Sequence, residues 1–256
     1  MKISLQIKPF WILLILLVLT GCSQDTNDDD SKNTGNNLSL GMSANDLLSE
    51  EKFTSMQVEV LYTPNAEPAA ATLQEVKKFL KEHTFKPNGI SISPRMIDPI
   101  DKDIFTISEV KKIETDYRSS FNAGDEISVL ILFVDGKSEN QKNNKLILGT
   151  AYKNTSMVIF SQTTSHLAET TGISKDEIEA TTIKHEFGHL FGLVDNGSPA
   201  QSQHEDGESK SHCNVEGCLM VAAIEFGSGA VKMMQKQAVT GFDASCRKDL
   251  QANGGR

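Results

Sequence analysis

The sequence predicts an α/β (α+β) fold: a mixed, twisted sheet with helices, a long motif-bearing helix at its lower edge, and a small loop-rich C-terminal lobe. Three observations carry this. Ile127 to Val134 (ISVLILFV) is apolar but for Ser128, the pattern of a central strand buried on both faces. Strand and helix patterns alternate before it. After it, Ser174 to Gly192 has the start and stop signals of one long helix.

The elements follow in order. Gln57 to Tyr62 (QVEVLY) alternates and is rich in Val, so it reads as a strand. Ala70 to His83 places Leu73, Val76, Phe79 and Leu80 at helical spacing. Ile90 to Ile92 is a short second strand, and Ile107 to Phe121 offers another amphipathic helix through Val110, Ile113 and Tyr117. Asp135-Gly136 ends the central strand with turn chemistry. Leu146 to Tyr152 and Met157 to Phe160 are two more strands, parted by the polar turn Lys153 to Ser156. In the long helix, Ser174 is a good N-cap with Glu177 three residues on, and Gly192 suits a left-handed terminus.

The N-terminus reads as an address. Lys2 and Lys8 precede the apolar run Phe10 to Leu19, which is short of the ~20 residues a spanning helix needs. Leu19-Thr20-Gly21-Cys22 resembles the bacterial lipobox, which implies a signal peptide over residues 1–21 and lipidation of Cys22. The expected location is therefore the bacterial cell envelope, anchored to the outer membrane on its periplasmic or outer side. Residues 22–50 are expected as a tether, because Ser23 to Asn37 holds no large apolar residue to offset its ordering entropy. One domain follows over residues 51–256, its N-terminal lobe running to 192 and its C-terminal lobe over 193–256. A net charge of −9 argues against a nucleic-acid partner, which would need a basic face. A monomer is expected.

Thr181 to Asp195 reads TTIKHEFGHLFGLVD. Residues four apart on a helix differ by about 40° around the axis, so His185 and His189 project together. Two such imidazoles suit one zinc ion, and Glu186 between them can take the proton of a zinc-activated water. Phe187, Leu190 and Phe191 mark the helix as buried, where such polar groups need a partner.

Extended to HExxHxxGxxD, the segment resembles the metzincin zinc peptidases. The resemblance implies that Gly192 ends the helix so that a third ligand can approach, and that Met220 forms the methionine turn beneath the metal. His212 to Met220 (HCNVEGCLM) resembles the HCxxxxCxM segment of archaemetzincins, which implies His212 as third ligand and cysteines helping to hold a second, structural zinc. Two departures stand out: seventeen residues, Asp195 to Ser211, separate the helix from His212, and the family's later CxxC is here Cys246-Arg247-Lys248-Asp249. Asp195, at direct spacing, and His204, within the insertion, compete with His212.

With Cys22 lipidated, Cys213, Cys218 and Cys246 remain. An oxidising compartment favours a Cys213–Cys218 or Cys218–Cys246 disulfide. The alternative is a structural zinc on the three thiols with Asp249.

The function this implies is a zinc-dependent metalloendopeptidase acting on a peptide or protein substrate, with Glu186 as general base. Leu148 to Tyr152 is the candidate edge strand for pairing with an extended peptide. A gluzincin, with Glu225 as third ligand, and a surface-anchored binding lipoprotein with a structural or inactive metal site are the rival readings.

Overall fold

A computed structural model describes residues 34–142, 145–225 and 241–256. The expected signal peptide and Cys22 lie outside these residues.

The main sheet has five strands in the order β2-β1-β4-β7-β6. β1 (Ser55–Tyr62) pairs in parallel with β2 (Gly89–Met96) and β4 (Glu126–Val134). β7 (Ser156–Phe160) runs parallel to β4, and β6 (Gly149–Lys153) pairs antiparallel to β7 as an edge strand. A short pair, β3 (Ile104–Phe105) with β5 (Lys137–Ser138), stands apart. Helices α1 (Ala44–Leu48), α2 (Ala70–His83), α3 (Ile107–Tyr117), α4 (Ser161–Thr171) and α5 (Lys175–Leu190) surround the sheet, followed by α6 (Ala222–Glu225) and α7 (Ala244–Ala252).

The alternation of side chains along β4 divides the core. Val129, Ile131 and Phe133 join Val76 and Leu80 of α2 and Ile183, Phe187 and Leu190 of α5 on one face. Leu130, Leu132 and Val134 join Val110 and Ile113 of α3 on the other. A strand buried on both faces is apolar almost throughout, which is why ISVLILFV, apolar but for Ser128, carries no alternation. α3 opens on a full capping box, Thr106 with Glu109. It ends at Tyr117 rather than running to Phe121, because Arg118 turns to an extended conformation, and its buried guanidinium pairs with Glu114 at 2.8 Å.

Three features differ from expectation. Residues 34–50, expected as part of the tether, pack on the domain. Leu47 and Leu48 are fully buried, and Asn36 donates to the Ser128 carbonyl and Thr155 Oγ1. The apolar residues that do this lie beyond the polar stretch that signalled the tether. α4 also went unforeseen, since SQTTSHLAETT has little apolar periodicity; it is placed by packing of Leu167 against Ile178. α7 was hidden likewise in a polar stretch, and is capped by Asp243, whose carboxylate accepts from the Ser245 and Cys246 amides.

Candidate metal centre

Ser174 starts α5 by accepting from the Glu177 amide at 3.2 Å. The helix then runs under the sheet beside β6 and β7, so that its last turns are buried. His185, Glu186 and His189 are 0%, 1% and 6% exposed. Gly192 ends it at φ +72°, a left-handed conformation that costs glycine nothing, and Val194 and Asp195, two and three residues on, also have positive φ. Asp249 of α7 holds this corner by accepting from the Val194 amide at 3.2 Å.

His185, His189 and His212 come together, with one ring nitrogen from each within 4.8 Å of the others. The Nε2 atoms of His185 and His189 are 3.1 Å apart, close to the ~3.3 Å that two nitrogens span across a tetrahedral zinc. Outer hydrogen bonds set the ring chemistry. His185 Nδ1 lies 2.7 Å from the Leu219 carbonyl, and His212 Nδ1 lies 2.9 Å from the Lys210 carbonyl. A carbonyl can only accept, so both Nδ1 atoms carry the proton and both Nε2 lone pairs are left to ligate. Asn196 sits 3.3 Å from His189 Nδ1 and orients the third ring. Burial, then the neighbouring His185 and His212, pushes the His189 pKa well below its ordinary value, keeping that imidazole neutral. Three buried imidazoles at this spacing are a donor set that fits zinc.

His212 reaches the triad because the insertion doubles back. Asp206 donates its amide to the His212 carbonyl at 2.7 Å, Asn214 donates to the His204 carbonyl at 2.8 Å, and Glu205 bridges Cys213. The other two candidates lie elsewhere. Asp195 is exposed and lines a separate surface hollow with Pro199, Gln201 and Glu205. His204 is buried, but among the cysteines. Glu225 ends α6, and its side chain falls outside the described residues.

Glu186 faces the edge of the sheet, where its Oε2 accepts the Ala151 amide of β6 at 2.7 Å. Together with Leu40, Thr150, Ala151, His189, Asn196, Ser211 and His212 it lines a cleft of about 190 Å³. Met220 is fully buried; a Cβ on Gly188 would stand 2.1 Å from its sulfur, so the methionine lies directly against the motif helix.

A second cluster adjoins the first. Cys213, Cys218 and Cys246 are buried free thiols, with 3.5 Å between the sulfurs of Cys218 and Cys246, so neither expected disulfide is formed. His204 Nδ1 lies 3.4 Å from Cys213 Sγ and 3.8 Å from Cys246 Sγ. Asp249, expected among the donors, instead pairs with His204 Nε2 at 2.9 Å and so fixes that ring from behind. Asp243 Oδ1 is also close, 3.7 Å from Cys213 Sγ, but it is engaged in capping α7. Donation from Cys213 and Cys246 pulls the Cys218 thiol below its ordinary pKa. The signal for His204 in the sequence was its place nine residues before Cys213; nothing there pointed to Asn196 or Leu40.

No protein-family model matches the chain, and no curated protein matches it. Among solved structures it is similar to an archaemetzincin from Methanopyrus kandleri, at 14% identity and a TM-score of 0.49, over 78% of this chain and 96% of that one. It is similar also to a zinc-dependent peptidase from Methanocorpusculum labreanum, at 14% identity and a TM-score of 0.46, over 75% of this chain and 99% of that one. A third, metalloproteinase-II from Bacteroides fragilis, gives 14% identity and a TM-score of 0.41, over 80% of this chain and 55% of that one. At this level of likeness the chemistry of the chain has to be read from its own residues.

Proposed function

We propose that this chain is a zinc-dependent metalloendopeptidase of the metzincin type, lipid-anchored through Cys22 in a bacterial envelope. One observation carries the reading: three buried imidazoles converge beside a carboxylate that is itself fixed to the edge strand of a sheet.

His185, His189 and His212 would hold the ion. When bound, zinc polarises a carbonyl and acidifies a water, the chemistry of amide hydrolysis. Glu186 follows His185 in the chain and is oriented by the Ala151 amide, so its carboxylate can take the proton of the attacking water. It then returns that proton to the leaving amine. An extended peptide or protein segment would lie along β6, whose outer edge supplies main-chain pairing. Met220 supports the floor of the site.

A second, structural zinc is part of this proposal. His204, Cys213 and Cys246 place one donor atom each within 4.8 Å of one another, as does Asp243, and Cys218, 3.5 Å from Cys246, would complete a set of three thiols and one imidazole. His204 thus moves from candidate third ligand to partner of the cysteines.

The test pairs metal analysis of the purified chain with a general protease assay, on wild type and Glu186→Gln. The expected result is bound zinc in both, with turnover in the wild type and a loss of at least ~100-fold in the variant. Zinc retained with no turnover in the wild type would favour a binding lipoprotein instead.

A further inference from the structure

β6 is the peptide-binding edge in the reading above, and it is short on one side of the reacting centre. Ala151, whose amide meets Glu186, is two residues from the end of the strand at Lys153. At about 3.3 Å per residue that leaves only ~7 Å of edge in this direction.

The next residue, Asn154, is taken up by the N-terminal segment. Its amide donates to the Leu38 carbonyl at 3.2 Å, and its side-chain Oδ1 accepts the Leu38 amide at 3.0 Å. Its Nδ2 donates to the Gly35 carbonyl and to Ser43 Oγ, both at 2.8 Å. The same segment presses on the loop after the motif helix. A Cβ on Gly41 would lie 1.8 Å from the Asn196 carbonyl oxygen, and one on Gly197 would lie 2.8 Å from the Gly41 carbonyl carbon. Between these two attachments Leu40 turns into the cleft that holds Glu186, His189 and His212. A segment bonded to the end of the strand on one side and packed on the residue orienting His189 on the other is a wall.

We infer that residues 38–43 close the cleft at this end, so that no more than one or two substrate residues fit on that side of the scissile bond. Leu40 is the specificity-determining residue for the side chain nearest the bond there. This rests on the zinc-peptidase reading but replaces cleavage within a chain by cleavage one or two residues from an end of the substrate. A side chain entering that space meets the branched aliphatic side chain of Leu40, so small or aliphatic residues are accepted and large aromatic ones collide with it.

The test uses the zinc-loaded full chain and two ladders of peptide hydroxamates, one to four residues long. One ladder carries the zinc-binding group at its C-terminus, the other at its N-terminus, so each extends into one half of the cleft. One ladder is expected to stop gaining affinity after the first or second residue while the other keeps gaining. Leu40→Ala should improve binding of a bulky aromatic residue in the truncated ladder by roughly 10-fold, and Leu40→Trp should weaken it similarly, with neither altering the other ladder. Melting curves of both variants show that the fold is retained. Ladders that rise alike through four residues, or Leu40 variants that shift neither, would overturn the inference. The two failures are distinct: a split ladder without hydrolysis sinks the peptidase reading and leaves the wall, whereas hydrolysis with unsplit ladders does the reverse.

Discussion

The imidazole of His185 gives its Nδ1 proton to the main-chain carbonyl of Leu219 across 2.7 Å. Leu219 follows Cys218 of the thiol cluster and precedes Met220, and His212 precedes Cys213, whose amide bonds to the Met220 carbonyl at 2.8 Å. The loop that carries two of the thiols therefore also supplies one imidazole of the triad and orients another. Losing an outer-shell partner of this kind weakens a metal site by about 10- to 100-fold. On the two-zinc proposal, Cys246→Ser is expected to lower the metal content by one equivalent and to weaken the remaining ion about 10-fold in competition with a chelator. An unchanged affinity for the remaining ion would separate the two centres.

Single substitution of the three competing residues distinguishes their places. His212→Ala should lose the ion of the triad and keep the thiolate-bound ion, seen with cobalt as persistent sulfur-to-metal charge-transfer absorption. His204→Ala should weaken that absorption. Asp195→Ala should change neither, since the exposed Asp195 side chain lines a separate hollow.

Gly188 faces Met220 so closely that a methyl group there has to displace its sulfur. Met220 is fully buried with its carbonyl bonded to Cys213, so little room exists for it to move. Gly188→Ala should destabilise the chain by about 1–3 kcal/mol in denaturant unfolding. Adding Met220→Ala should recover part of that loss, because the contact responsible is gone.

Glu179, buried on α5 above the motif, has a pKa raised to about 6, chiefly by burial and against the pull of Lys175. The folded state therefore holds this proton more tightly than the unfolded chain, whose ordinary value is 4.5. Between these values the native state binds more protons, so stability falls as pH rises through the window, by up to about 2 kcal/mol from this group. Glu179→Gln should flatten the decline in melting temperature between pH 4.5 and 6; an unaltered slope would assign the decline to other groups.

Much of the fold is legible in local pattern. The central strand β4, helix α2 and the motif helix announce themselves because burial on both faces, or on one stripe, forces a periodicity of apolar residues. α4 and α7 were not legible, because short polar helices are held by neighbours and caps rather than by their own pattern. The packed stretch from Asn36 to Leu48 reads as tether for a related reason: its anchors are single side chains, of which Asn36 meets partners 86 to 119 residues away while Leu47 and Leu48 are fully buried.

At the site, the sequence by itself determined that His185 and His189 share a helix face with Glu186 beside them, since helical geometry links residues four apart without reference to anything else. The choice among His212, Asp195 and His204 was open at that level, because the conformation of a seventeen-residue polar insertion depends on what it folds against. Only the tertiary structure brought His212 to the triad, sent His204 to the cysteines and turned Leu40 toward the cleft. Each of those placements is made by hydrogen bonds and contacts between segments far apart in the chain, which no local spacing encodes.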